Sequence, residues 1–402
     1  MEDLNQTKKR TILHSDVNNF FASVECSLKP ELKGKAVAVT GNPKKRNGII
    51  LAKNEIAKKY GVKTGQVLVE ARALCPDLIC LPPHYDLYEE ISIALQELYL
   101  SYTNFVEPLG LDECWLDVSG CENYLGKSGV QIADEIRERV KHEFGFTVSV
   151  GVSFSKLFAK LGSDLRKPDF TTEIRIDNYK NITYNLPINS VVGIGYRLNK
   201  KLESIGIKTI EDFVKLDDEF LKHLMGINGT NLKADLLAER FVPVLDYDSL
   251  PPPKSIGNGT TTIEDISSDK DLANVIYFLA EKVSSRLICR SLKAEGISLT
   301  IKDNNLKKCH KSMKISPTNS IKELAEKAVE IAKEIYNFKR PVRAVRLKTF
   351  YLSPAKARQV SMFDEDKKDY SPVFVNINQK YGKINLASDM KPYINTKNHP
   401  QE

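Results

Sequence analysis

The stretch TILHSDVNNFFASVE, residues 11–25, decides how the rest of the chain is read. Its first half, 11–17, is a short apolar run suited to a buried strand, and it leads directly into an aromatic segment, 18–28, with helical spacing. Asp16 therefore sits where a strand hands over to a helix. Working outward, short apolar runs at 36–40 and 48–52 alternate with helical periods at 53–60 and 67–74. A longer amphipathic helix is predicted over 85–102, then a strand pair around 105–108 and 114–118. A helix over 130–144, a strand over 147–152 and a helix over 155–165 follow. Strands interleaved with helices in this way predict an α+β or α/β sheet with helices packed on it.

After residue 181 the pattern becomes short and all-helical, with Gly193, Gly195, Gly206, Gly226 and Gly229 marking turns, and it closes near Tyr247. The segment 246–253 ends in Pro251, Pro252 and Pro253, which cannot join a helix or a central strand and so read as a linker. Beyond it, strands over 296–301 and 343–352 and helices over 272–287 and 321–338 predict a separate α+β domain. Periodicity is lost after Pro354, and 355–402 is expected to be a flexible tail.

Charge separates the same regions. Residues 254–354 hold 19 Lys and Arg against 11 Asp and Glu, a net +8, whereas the remainder, 40 against 41, nets −1 of the chain's +7. A basic excess confined to one domain points to a polyanion partner. The 402 residues, 42% hydrophobic and 28% charged, exclude a small stapled scaffold and a disordered chain. No run reaches the roughly 18 apolar residues of a membrane span, and MEDLNQTKKR lacks an apolar leader core, so a cytoplasmic protein with no membrane contact is expected. Seven cysteines without a C-x-x-C pair predict neither a disulfide framework nor a zinc site.

The chemistry rests on acids. A lone Asp16 at a strand end is commonly only a helix cap, but Asp112 and Glu113 lie in the turn between two apolar strands. Three carboxylates converging on one sheet end would repel one another unless a divalent cation neutralised them. Such a set suits two Mg²⁺ ions that activate a hydroxyl and stabilise a leaving pyrophosphate.

HSDVNNFFASVE (14–25), PLGLDECWLDVSG (108–120) and VSVGVSFSKLFAKLGSDLRKPD (148–169) together resemble the Y-family translesion DNA polymerases, in particular the bacterial DNA polymerase IV type. The resemblance runs in order over residues 10–355. It implies an α+β right-hand polymerase with a ferredoxin-like palm, small fingers, a helix-hairpin-helix thumb and an α+β little finger. The expected bounds are palm and fingers 1–178 (fingers 27–87), thumb 179–248, linker 249–253, little finger 254–354 and tail 355–402. Asp16, Asp112 and Glu113 would be the catalytic metal-binding carboxylates for two Mg²⁺, with the Val17 carbonyl assisting. Phe21 would stack beneath the sugar as the steric gate that excludes a 2′-hydroxyl. Phe20 beside it is expected to pack in the core while bordering the nucleotide.

Lys58, Lys160 and Lys167 fall where the family places basic groups near the triphosphate; taken singly each reads readily as an ordinary surface lysine, and Lys167 gains weight from its Lys-Pro setting, which matches the family's motif. Two positions depart from the family: Glu55, where many relatives carry tyrosine, and Lys58, where many carry arginine. An acid near a triphosphate is repulsive, so Glu55 either turns away or nucleotide binds differently. Gly193 and Gly195 lie in a predicted helix, Gly-x-Gly hairpin, helix unit that resembles a DNA-backbone-binding hairpin. In the tail, Gln359 to Phe363 resembles the bacterial sliding-clamp pentapeptide, with Gln359, Met362 and Phe363 as anchors.

The combined reading is a template-directed DNA polymerase for translesion synthesis and repair, acting as a monomer on primer-template DNA and deoxynucleoside triphosphates and partnered by the sliding clamp. A catalytically silent DNA-binding relative would lack one of the carboxylates, and all three are present. A nucleotidyl cyclase could share the palm but would not need the Gly-x-Gly hairpin or the +8 domain.

Overall fold

The computed structural model of the chain describes residues 10–41 and 48–355, together with Ser371, Pro372 and Val375. These residues form two compact units that divide between Leu250 and Pro251.

The first unit opens with β1 (Ile12–Val17) and α1 (Phe20–Leu28), then β2 (Val37–Thr40), β3 (Ile50–Lys53), α2 (Glu55–Lys59), α3 (Leu68–Leu74), β4 (Ile79–Leu81) and α4 (Tyr85–Leu100). It continues with β5 (Val106–Leu109), β6 (Glu113–Asp117), α5 (Glu122–Leu125), α6 (Gly129–Phe144), β7 (Val148–Ser153), α7 (Lys156–Leu165) and β8 (Thr171–Ile174). A five-stranded sheet runs β5-β6-β1-β7-β8, and a three-stranded one runs β3-β2-β4. In the larger sheet only β7 and β8 are parallel neighbours.

β1 lies in the middle of the larger sheet, and every one of its residues is buried. Leu13 and Val17 pack with Leu95, Leu98, Ile132 and Ile136 from α4 and α6. Ile12, on the opposite face, packs with Trp115 and with Ala159 of α7. Cover on both faces is why this strand reads as one apolar run rather than as an alternation. α7 comes so close to the sheet that a Cβ on Gly151, opposite His14 in the register, would lie 1.8 Å from the Ala159 carbonyl oxygen.

The helical stretch comprises α8 (Tyr179–Thr183), α9 (Tyr196–Glu203), α10 (Ile210–Val214), α11 (Asp218–Met225) and α12 (Ile227–Leu236), gathered around Phe158, Leu202, Phe213 and Leu221. The helix expected before Gly193 is only a single 3₁₀ turn, Ile188–Ser190. Pro187 before it and Gly193 at φ +94° after it leave too little chain for an α-helical segment.

The second unit contains β9 (Ser255–Ile266), α13 (Asp269–Cys289), β10 (Leu292–Asp303), β11 (Lys308–Thr318), α14 (Ile321–Ile335) and β12 (Val342–Pro354). Its four strands form an antiparallel sheet in the order β11-β10-β12-β9, with a core shared by both helices. The sequence reading found β10 and β12 and missed β9 and β11. The missed strands are the two sheet edges, where Gly257, Asn258 and Gly259 in one and Lys308, His310, Lys311 and Lys314 in the other mask the apolar alternation. Among the described residues no helix is long and apolar enough to cross a membrane.

Candidate active site

β1 pairs with β6 on one side and β7 on the other, in registers that set Asp16 opposite both Glu113 and Ser149. Directly opposed residues of an antiparallel pair project from the same face, so Asp16 and Glu113 share one face of the sheet. Asp112 precedes β6 in the β5–β6 turn, where Gly110 takes φ +85°, a conformation glycine adopts without strain. The Val17 N–H donates to the Asp112 carbonyl at 2.9 Å and ties that turn to the end of β1.

The chain then reverses through two asparagines. Asn18 donates to Thr147 Oγ1 at 3.0 Å and accepts from Ser149 Oγ at 3.0 Å, which secures the strand end to the β7 side of the sheet. Asn19 takes the left-handed conformation, φ 55°, which asparagine tolerates better than most residues, and α1 begins immediately with Phe20 and Phe21.

One cavity of about 390 Å³ is lined by Asp16, Val17, Phe20, Phe21, Asp112, Glu113 and Lys167, all singled out from the sequence. Asn19, Leu51, Ala52, Lys53, Thr64 and Leu111 complete the wall and were not anticipated. Lys53 ends β3 rather than opening a helix, and its ammonium donates to Thr64 Oγ1 at 3.3 Å. The available signal was strand alternation, which carries Leu51 and Lys53 to one face.

The acids have ammonium partners. Lys167 Nζ lies 2.8 Å from Asp16 Oδ2 and 2.7 Å from Asp164 Oδ1, and Lys160 Nζ donates to Glu113 Oε2 at 2.5 Å. Burial pushes the Asp16 carboxyl up to about 6, with Lys167 opposing the shift. Burial and the neighbouring Glu113 charge push Asp112 up as well. For Glu113 burial works in the same upward direction, but His14 and Lys160 outweigh it and hold the carboxyl at about 2. His14 itself is fully buried, with Nδ1 2.8 Å from Ser163 Oγ and Nε2 3.4 Å from Glu113 Oε2, and burial pushes its pKa down. Two neighbouring acids are thus driven in opposite directions, a pattern common at sites of chemistry.

Among the described residues no three His, Cys, Asp or Glu side chains are drawn together closely enough to hold a metal ion. The donor chemistry nevertheless suits a divalent cation: three carboxylates and the Val17 carbonyl offer hard oxygens. The ammonium groups already seated on Asp16 and Glu113 show that this end of the sheet attracts positive charge.

Two of the anticipated lysines stand apart from the cavity wall. Lys160 reaches the site only through Glu113, and Lys58 pairs with Glu55 at 3.3 Å. Glu55 also accepts from Asn19 Nδ2 at 2.8 Å, so this unusual acid turns toward Asn19 and Lys58. Burial opposes its ionisation, yet these hydrogen bonds hold its carboxyl below the ordinary value. Gly193 and Gly195 lie in the turn that precedes α9, with Gly195 at its amino-terminal cap. Gln359, Met362 and Phe363 fall outside the described residues.

Residues 15–164 match the impB/mucB/samB family, and residues 253–362 match its C-terminal domain. The chain is 42% identical over 362 residues to the DNA polymerase IV of Acetivibrio thermocellus, with 90% of each chain covered. It is 34% identical over 391 residues to the DNA polymerase IV of Bacillus velezensis, covering 93% of this chain and 91% of the relative. Among solved structures a Y-family DNA polymerase chimera shares the fold, with a TM-score of 0.77 at 24% identity over 85% of this chain and 98% of the other. That likeness bears out the right-hand α+β architecture of palm, fingers, thumb and little finger. With both of its units matched and nine tenths of its length shared with such relatives, the chain belongs to the impB/mucB/samB family, as a DNA-directed DNA polymerase of the DNA polymerase IV type.

Proposed function

We propose that Asp16, Asp112 and Glu113 are the catalytic carboxylates with which this translesion polymerase extends a primer across damaged template bases, with two Mg²⁺ as its metal ions. The observation that carries this assignment is the Asp16–Glu113 register, which sets two acids on one sheet face with Asp112 in the adjoining turn, all three on one cavity. When bound, the ions lower the pKa of the primer 3′-hydroxyl and neutralise the triphosphate and the departing pyrophosphate. The three carboxylates and the Val17 carbonyl would hold them. Lys167 and Lys53 line the same cavity and offer charge to the phosphates, and Phe21 presents its ring as the sugar gate. An aromatic ring excludes a 2′-hydroxyl by volume and needs no hydrogen bond to do so.

Asp112→Ala tests the assignment in primer extension on undamaged and damaged templates with Mg²⁺. Extension should be abolished while primer-template binding is retained, and undiminished extension would place the chemistry elsewhere.

The basic unit supplies phosphate contacts. Cross-strand register sets Thr300 opposite both Arg346 and His310, Ser298 opposite both Lys348 and Ser312, and Lys302 opposite Lys308. These residues therefore share one sheet face, on which Arg346, Lys348, Lys308 and His310 are exposed. Gly193 and Gly195 bring a further backbone contact to the DNA. The protein acts as a cytoplasmic monomer that docks on the sliding clamp through Gln359, Met362 and Phe363. Replacing Met362 and Phe363 together by Ala should leave extension of short primers intact and remove stimulation by the clamp. Stimulation that survives would make the pentapeptide an accidental match.

A further inference from the structure

Glu25 is a buried carboxylate with no place in the metal site, and its side chain is only 1% exposed. Isolating such a charge from water is unfavourable unless donors compensate it, and an apolar side chain in its place would carry no such cost. Glu25 has three donors. Tyr88 Oη donates to its Oε1 at 2.7 Å, His84 Nδ1 lies 2.5 Å from the same oxygen, and Lys29 Nζ reaches Oε2 at 3.3 Å. All three come from outside the catalytic sheet: Tyr88 and His84 from α4 and its amino-terminal cap, Lys29 from the end of α1.

The Tyr88 ring, itself fully buried, is stacked on Phe21, with centroids 4.3 Å apart and planes 13° from parallel. Tyr85 meets the same phenylalanine edge-on at 5.9 Å and 90°. Phe21 thus lines the cavity while its ring rests on Tyr88, and the hydroxyl of Tyr88 is fixed by Glu25. A side chain that rejects one extra oxygen by volume must not be free to retreat, since a small recoil would make room for it. What lies behind the ring therefore sets how strict the gate is.

We infer that Glu25, acting through Tyr88, is a positioning residue for sugar selection, because it locks the aromatic platform on which Phe21 rests. The inference rests on the proposed role of Phe21 as the gate. Neither Glu25 nor Tyr88 touches the reacting atoms, so their loss should alter discrimination more than turnover.

Single-nucleotide incorporation opposite an undamaged template base, measured as kcat/KM for a deoxynucleotide and for the matching ribonucleotide, tests this on the full chain. Tyr88→Phe keeps the ring and removes the hydroxyl that Glu25 holds. It should lower the deoxy-to-ribo ratio about three- to tenfold, the net worth of one hydrogen bond, mainly by raising ribonucleotide use. Glu25→Gln retains an acceptor for Tyr88 and should stay closer to the parent ratio than Tyr88→Phe. Phe21→Ala should admit ribonucleotides more freely than either, and adding Tyr88→Phe to it should change the ratio no further, because the gate is already gone. An unchanged ratio in Tyr88→Phe beside a relaxed Phe21→Ala would overturn the platform and leave the gate standing. An unchanged ratio in Phe21→Ala would overturn both. Equal loss of the two activities in Tyr88→Phe would mean that the ring stack serves only the core.

Discussion

The five-stranded sheet of the first unit, taken as the palm sheet, and the four-stranded sheet of the second, taken as the little-finger sheet, are both assembled largely from antiparallel strands, yet they handle charge in opposite ways. The palm sheet is covered on both faces, so Asp16 at the end of β1 is nearly dry and its carboxyl is pushed up to about 6. The little-finger sheet packs both of its helices into one core and leaves Arg346, Lys348 and Lys308 exposed together. In a dry site a few charges interact strongly and their geometry decides the chemistry. On a wet face many charges interact weakly, and their sum decides affinity for a polyanion. On the proposed function, catalysis and grip fall on separate sheets, with different tolerance to change.

That contrast can be broken at four points. The largest effect is expected at Asp16→Asn, which should lower primer extension by about a thousandfold or more if the acid holds metal. The same variant should not be less stable at neutral pH. A carboxyl whose pKa is raised by folding binds its proton more tightly in the folded state, so the stability it confers falls as pH rises from about 4 to about 6. Asn escapes this loss, and Lys167 keeps Asp164 as a partner. Denaturant unfolding at pH 4 and pH 7 should therefore show the variant gaining on the parent by about 1–2 kcal/mol at the higher pH. A variant that loses ground over that range would mean that the Lys167 pair outweighs burial.

Next comes packing. Gly151→Ala would drive a methyl group into the Ala159 carbonyl and the Ser163 amide, and should cost about 3 kcal/mol or more as α7 is pushed off the sheet. Ser298→Ala on the open face of the little-finger sheet should stay within about 0.5 kcal/mol. Similar costs at the two positions, measured by thermal unfolding, would erase the distinction between the sheets.

On binding rather than stability, the test is Arg346→Gln combined with Lys348→Gln. Primer-template affinity should weaken about equally on all sequences, and the slope of log affinity against log salt should drop by about 2. An unchanged slope would mean that this face does not meet phosphate.

Residues 11–25 by themselves determined much of the five-stranded sheet and its acidic end. An apolar run broken only by His14, Ser15 and Asp16 admits few readings other than a buried strand, and the pair Asp112-Glu113 between two apolar runs placed further acids at a strand end. The basic excess of 254–354 was equally legible, because net charge is a property of composition. The two edge strands were not: Lys308 to Thr318 meets solvent along most of its length, so its sequence carries little apolar periodicity, and only pairing with β10 makes it a strand. Tertiary structure alone decided register, and register is what sets Asp16 against Glu113 rather than one residue away, on the other face of the sheet. It alone separated Lys167 and Lys53, which line the cavity, from Lys58, which is engaged by Glu55. It alone joined Glu25 to Tyr88 and Tyr88 to Phe21. Such contacts span tens of residues in the chain. Local sequence dictates backbone preference and charge, whereas the partner a side chain meets depends on which elements the closing of the core brings together.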